Sequence, residues 1–428
     1  MDKSINRLLR LVAVLMLVML LMSSDAKTAP RNVILMIGDG MGPDIVAAAG
    51  AYEYGADYHK FGGTKKLTME TLDKHFYMTT FAATGNGYDY TWNNGNRDYP
   101  KSGATDSGAA ATAMSSGVKT YSGAICVGPD RKDVEIITEY ARKMGLKTGI
   151  VASANFNDAT PAAFTTHNPS RNDYQKIAHD MLYVNQPDVL MATGGLLGTP
   201  DDFGLKYFAQ VDWDGVVAGK TGYKLVQSRE EFKKLITEPA GGKVLGLVPG
   251  IKILKTCNAN RKSANPAQPT LKEMSQAALS NLANPNGFFV MIEGSNIDKL
   301  AHANSLDGTI GETLAFDEAI AATIEWIGKN GGWEQNLLII TADHDTGYLN
   351  NVKPTEANKL PAVKWGTGDY GWGGHTNRLV DLYTMGKGSE VFNGLATRHT
   401  DFDHGDVTVV DNTDVFKVMK AAIPVVEK

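Results

Sequence analysis

The chain has 428 residues, 43% of them hydrophobic, and a formal net charge of −5; that is ample apolar mass for a large core. It carries no long basic block, so nucleic-acid binding has no electrostatic support. Two cysteines, Cys126 and Cys257, exclude a disulfide framework, although the two could pair in an exported protein.

In chain order the first element stands apart from the fold. Lys3, Arg7 and Arg10 precede an unbroken apolar run from Leu11 to Met22, and Ser24-Asp25-Ala26 places small residues before a cut. This layout predicts a secretory signal peptide over residues 1–26. The run is short of the roughly 20 residues that span a bilayer, and an uncleaved anchor is the alternative. The predicted address is exported, periplasmic or extracellular, with no membrane attachment after cleavage.

From residue 27 to 428 one α/β domain is expected. Val33–Ile37 leads into Gly38-Asp39-Gly40, Thr148–Ala152 into "SANFNDATP", and Val189–Ala192 into "TGG". Phe288–Ile292 leads into "EGSNID" and Leu337–Thr341 into "ADHDTG". Unbroken apolar runs of this length predict parallel strands covered on both faces. Helical patterns fall at Asp133–Met144, Asn172–Tyr183, Leu271–Leu282 and Asp307–Ile327. The alternation predicts a mostly parallel central sheet with helices on both faces. Residues 201–265 and 349–374 read as surface insertions on that core.

The polar residues follow the strands, where open α/β sheets bind ligands. Asp39, held between two glycines at a strand end, needs a positive partner if it is buried. In "GATDSGAAATAMSSG", Ser107 opens a helix whose N-terminus favours an anion; Asp106 or Ser107 also fits a plain N-cap. In "IEGSNIDKLAH", Asp298 and His302 at i, i+4 can chelate one metal, with Glu293 five residues before Asp298; a surface ion pair fits as well. Asp343 and His344 follow a strand, and His375 lies among glycines in "WGGHTN". In "NDATPAAFTTHNPSR", Asp158 and Thr160 supply hard oxygens suited to magnesium, and Arg171 offers a fork for two phosphate oxygens. Taken together the mixed N and O donors are too many for one metal and suit two zinc ions and a magnesium.

With "GDGMG", "TDSGAAATA", "DATPAA", "EGSNIDKLAH", "TADHDTG" and "GGHT" in order, the chain closely resembles the metal-dependent alkaline phosphatases over roughly residues 31 to 425. The resemblance implies that Asp298, His302 and His375 bind a first zinc. It implies that Asp39, Asp343 and His344 bind a second, which also meets Ser107 Oγ, and that Asp39, Thr160 and Glu293 hold magnesium. Arg171 would grip phosphate, with Asp106 orienting it. Asp158 and Lys299 occupy positions that tune phosphate release and the third metal. The implied reaction is hydrolysis of phosphate monoesters through a phosphoserine, with inorganic phosphate as an inhibiting product. A homodimer is implied as well. Only 30 residues separate His344 from His375, so the subdomain that caps the dimer interface in larger relatives is reduced. The competing expectations are a phosphodiesterase of the same superfamily and a non-catalytic metal- or phosphate-binding protein.

Overall fold

Asn32–Gly38 (β1) is buried at every residue, as an apolar run must be when sheet neighbours flank it and helices cover both faces. In the computed structural model, which describes residues 31–85, 87–92, 98–195, 207–249, 258–260, 266–366 and 371–423, it lies near the middle of an 11-stranded sheet. The other strands are Lys74–Thr79 (β2), Lys147–Asn155 (β3), Val189–Gly195 (β4), Lys224–Val226 (β5), Val244–Pro249 (β6), Phe288–Gly294 (β7) and Asn336–Ala342 (β8). Asp345–Thr346 (β9), Leu349–Lys353 (β10), Ala362–Trp365 (β11) and His375–Thr376 (β12) form two small ribbons beside it. Val380–Gly386 (β13), Thr397–Asp401 (β14) and Gly405–Asp411 (β15) complete the sheet, in the order β14-β15-β2-β13-β8-β1-β7-β3-β4-β6-β5. From β8 to β5 every pairing is parallel; β13 runs antiparallel to both β8 and β2.

Two layers of helix cover it. Pro43–Tyr54 (α1) belongs to one layer. Ser107–Ser116 (α2), Ile137–Lys143 (α3) and Ala159–Ala163 (α4) belong to the other, and Tyr174–His179 (α5) follows them. Arg229–Thr237 (α6), Leu271–Leu282 (α7) and Leu306–Lys329 (α9) pack in a row on the α1 side, with the short Asn296–His302 (α8) against α9. Asn412–Ala422 (α10) packs on α2. Local chemistry sets the ends: Thr270 and Glu273 cap α7 reciprocally, as Ser228 and Glu231 cap α6. No helix among the described residues is long and apolar enough to cross a membrane.

The strands and helices expected from sequence lie where the apolar patterns put them, with three corrections, the first being that the helix expected over Asp133–Met144 spans Ile137–Lys143, with Asp133 pairing with Val127 in an isolated bridge. Residues 201–265 are not merely an insertion: they supply β5 and β6 to the sheet and α6 to the helix row. The run Val244–Val248 was disguised by Gly246, whose missing side chain makes room for the Phe232 ring; a Cβ there would lie 2.6 Å from Phe232 Cζ. The helix expected over Asn172–Tyr183 is α5 alone, continued by a wider π turn over Asp180–Asn185. Residues 349–374 carry the separate β10–β11 hairpin. The signal segment and Cys257 lie outside the described residues; Cys126 is a buried free thiol whose Sγ donates to the Ala163 carbonyl at 2.7 Å.

Candidate active site

The register of three central strands builds the floor. Gly38 pairs with Gly294 on one side and Ala342 on the other, so Asp39 and Asp343 leave the sheet at one level, with Glu293 one residue before the end of β7. Gly40 turns the chain with φ +66°, a conformation that favours glycine. Its N–H donates to Asp343 Oδ1 at 3.0 Å. A Cβ at Gly40 would also lie 2.6 Å from Thr346 Oγ1 and 2.9 Å from Asp298 Oδ1, so the turn needs both properties of glycine.

Ser107 stands at the first position of α2, where free N–H groups and the helix dipole favour negative charge. Asp106 is its N-cap, accepting from the backbone of Gly108, Ala109 and Gly123 at 3.2, 3.1 and 2.9 Å. Asp106 also accepts from Arg171 Nη1 at 2.9 Å, while Arg171 Nη2 donates to Asp158 Oδ1 at 3.1 Å. The guanidinium is thus pinned at both ends beside the serine. A cavity of about 320 Å³ opens against Arg171, Asp158, Lys299, Asn155, Tyr174 and Tyr207.

The histidines come from three segments. His344 Nε2 lies 3.1 Å from Ser107 Oγ and 3.6 Å from Asp39 Oδ1, and its ring stacks on that of His375 with centroids 3.6 Å apart. His375 Nδ1 donates to the Thr105 carbonyl at 2.8 Å, and His302 Nδ1 to that of Gly373. With both Nδ1 atoms committed as donors, the two Nε2 atoms face each other at 3.2 Å. Asp298 Oδ2 is 3.2 Å from His302 Nε2 and Asp298 Oδ1 is 3.6 Å from His375 Nε2. A proton or a cation must lie between lone pairs so placed.

The carboxylates tell the same story. Asp39 Oδ1, Glu293 Oε2 and Asp343 Oδ2 are buried and have no hydrogen-bond partner. Burial first, then Asp298 and Asp343, push the Asp39 carboxyl well above the usual range. Burial, then Asp158, raises Glu293 to about 8, and burial raises Asp343 to about 7. Burial opposes the charge of Asp298 too, but Lys299 and the His302 hydrogen bond outweigh it and hold that carboxyl low. The Lys299 ammonium lies 3.3 Å from Asp158, 3.4 Å from Asp298 and 3.7 Å from Asp39, and these carboxylates keep it charged against its burial. Two groups offer donor atoms within 4.8 Å of one another: Asp298, His302 and His375, and Asp39, Asp298 and His344. Asp343 Oδ2 adds a donor 3.2 Å from His344 Nε2. This is a setting for divalent cations with mixed N and O ligation, and the residues present fit them.

All thirteen side chains singled out from sequence lie at this end of the sheet: Asp39, Asp106, Ser107, Asp158, Thr160, Arg171, Glu293, Asp298, Lys299 and His302, and the Asp343-His344 pair with His375 beside it. Thr160 is buried in the single turn of α4 that Asp158 caps. Sequence reasoning missed the parts that orient the ligands. The carbonyls of Thr105 and Gly373 carry no sequence signal. Thr346 does: a hydroxyl two residues after His344 is the kind of second partner that ligating histidines need.

A buried serine on a helix tip, a fixed guanidinium and unpartnered buried carboxylates make a setting that suits metal-dependent phosphoryl transfer. The alkaline phosphatase family profile matches residues 30–195 and 211–401. Alkaline phosphatase 4 of Bacillus subtilis (strain 168) is 34% identical over 75% of this chain and 62% of its own length. Alkaline phosphatase of Escherichia coli (strain K12) is 32% identical over 92% of this chain and 86% of its own. The cold-active alkaline phosphatase of a psychrophilic Shewanella sp. superposes with a TM-score of 0.70 at 25% identity, covering 92% of this chain and all of that one. The chain belongs to the alkaline phosphatase family, a family of metal-dependent phosphomonoesterases.

Proposed function

We propose that the chain hydrolyses phosphate monoesters through a phosphoserine on Ser107, with two zinc ions and one magnesium ion. The observation that carries this reading is the convergence of three unpartnered buried carboxylate oxygens with Ser107 Oγ and the Arg171 fork. Asp298, His302 and His375 would hold the first zinc, and Asp39, Asp343 and His344 the second, near Ser107. Asp39, Thr160 and Glu293 would hold magnesium, whose preference for oxygen they match. When bound, these cations supply Lewis acidity: they stabilise the serine alkoxide and the departing alkoxide and activate water.

The chain's own residues do the rest. Arg171 binds two non-bridging phosphate oxygens through N–H groups not used by Asp106 and Asp158. The N-terminus of α2 stabilises charge at Ser107. Ser107 Oγ gives its proton to solvent and attacks phosphorus in line; the bond from phosphorus to the ester oxygen breaks, and its electron pair leaves with the alkoxide, which takes a proton from water to become the alcohol. Water then attacks the phosphoserine from the vacated side, returning Ser107 and releasing phosphate. Two inversions give net retention at phosphorus. Lys299, bridging Asp158, Asp39 and Asp298, holds these carboxylates together and tunes phosphate release. Because Arg171 grips the product as it grips the ester, inorganic phosphate inhibits. Export to the periplasm or beyond is supported by the charged and apolar layout of residues 1–26, and a homodimer by family resemblance alone.

The test is hydrolysis of a chromogenic phosphate monoester at alkaline pH. The mature protein, a chelated sample, the same sample restored with zinc and magnesium, and Ser107→Ala are compared. Activity that is lost on chelation, returns with the cations and falls by about 10³-fold or more in the variant is expected. A cation-loaded protein that cleaves a diester and leaves the monoester intact overturns the reading.

A further inference from the structure

Thr346 is completely buried at the end of β9, and its single hydroxyl touches both groups of candidate ligands. Thr346 Oγ1 donates to Asp298 Oδ1 at 2.6 Å and lies 3.2 Å from His344 Nδ1. The directions of these bonds follow from valence. The hydroxyl has one proton and donates it along the shorter contact, at 2.6 Å, to the Asp298 oxygen. The oxygen is then an acceptor for His344, which requires the proton of that ring on Nδ1. His344 Nε2 is left with its lone pair facing Ser107 Oγ at 3.1 Å and Asp39. The backbone is built around this hydroxyl: Thr346 N–H donates to the Gly40 carbonyl at 3.0 Å, β9 pairs with the strand carrying His375, and Gly40 has no side chain because one would strike Thr346 Oγ1.

We propose that Thr346 is a positioning residue: it fixes His344 as the Nδ1–H tautomer and locks the Asp298 carboxylate, so that one hydroxyl sets the ligand geometry of both cation groups. This deepens the phosphomonoesterase reading and rests on it. Removing an outer partner of this kind typically costs about 10- to 100-fold in cation affinity. Thr346→Val keeps the shape and deletes the hydroxyl; Thr346→Ser restores it.

The first readout is the ¹⁵N shift pair of His344 in the chelated wild-type protein, which needs neither turnover nor a variant. A protonated Nδ1 is expected; a protonated Nε2 overturns the proposal, whatever the protein hydrolyses. The second is zinc affinity by competition with a chromogenic chelator. Thr346→Val is expected to bind zinc 10- to 100-fold more weakly and to titrate as a tautomer mixture, with Thr346→Ser within about threefold of wild type. Zinc affinity unchanged in Thr346→Val, or equally lost in Thr346→Ser, overturns it. Absent phosphatase activity with the expected tautomer and zinc response would instead count against the functional reading alone.

Discussion

Two buried charge clusters lie a few residues apart, and they are completed differently. Around Arg378 the chain supplies both signs. The guanidinium, 5% exposed, donates to Asp403 at 2.8 Å, to Asp44 at 2.6 Å and to the Leu349 carbonyl at 3.0 Å. Around Asp39 it supplies an excess of one sign: Asp39, Glu293 and Asp343 each bury a carboxylate oxygen without a hydrogen-bond partner, and the Lys299 ammonium lies 3.7 Å from the other oxygen of Asp39. The first cluster ties α1 to the loop after β14 and so belongs to the fold. The second is left open by the chain itself, and the proposed function completes it with cations from outside.

Breaking the closed cluster should have the largest effect. Arg378→Met leaves Asp44 and Asp403 without their cation and is expected to cost about 3–5 kcal/mol in denaturant unfolding, since removing one partner strands the other charges. Arg171 stands between the two cases, closed by Asp106 and Asp158 yet open toward the cavity. Arg171→Lys keeps the charge and loses the fork, so kcat/KM for a monoester is expected to fall roughly 10- to 100-fold and phosphate inhibition to weaken. Steady-state kinetics with phosphate as inhibitor check both.

The open cluster sharpens the comparison by reversing the sign. Glu293→Gln removes a charge that burial disfavours, so the chelated protein is expected to melt higher at alkaline pH while zinc- and magnesium-loaded protein loses cation affinity. Differential scanning calorimetry with and without chelator reads this. The smallest effect is the pH dependence of the chelated wild type. Glu293 is raised from 4.5 to about 8 and Asp343 from 3.8 to about 7. The folded chain therefore holds these protons more tightly than the unfolded chain, and the stability they contribute at low pH is lost as pH rises through 7 to 8. The chelated protein is expected to lose several degrees of melting temperature between pH 5 and pH 9. Loading with cations should abolish that slope, because the bound charge takes the proton's place.

The sequence made one half of the sheet legible and hid the other half. β1, β3, β4, β7 and β8 are buried on both faces, so each is an unbroken apolar run. β2, β14 and β15 alternate or mix exposed residues, and β13 carries the buried Asp381 and Thr384, so no run marks them. The candidate site was legible because most of its side chains follow those runs or open helices; Arg171 and His375 do neither and lie between elements or on a two-residue strand. What remained hidden was the second layer of contacts. Asp298 reaches the His344 group as well as the His302 group, and Thr346 joins them, because β9 brings its loop against the turn at Gly40. Such contacts depend on how three separate loops stack, and no spacing within one segment encodes that.

Lys299 gives the molecule an order of events. Its ammonium sits among Asp39, Asp158 and Asp298, keeping carboxylates from three different segments within reach of one another. A polypeptide that carries its own placeholder cation can close its sheet in a medium poor in zinc. The proposed cations would then arrive at a finished scaffold as passengers rather than builders. On this reading, closing the scaffold and loading it are two separable events.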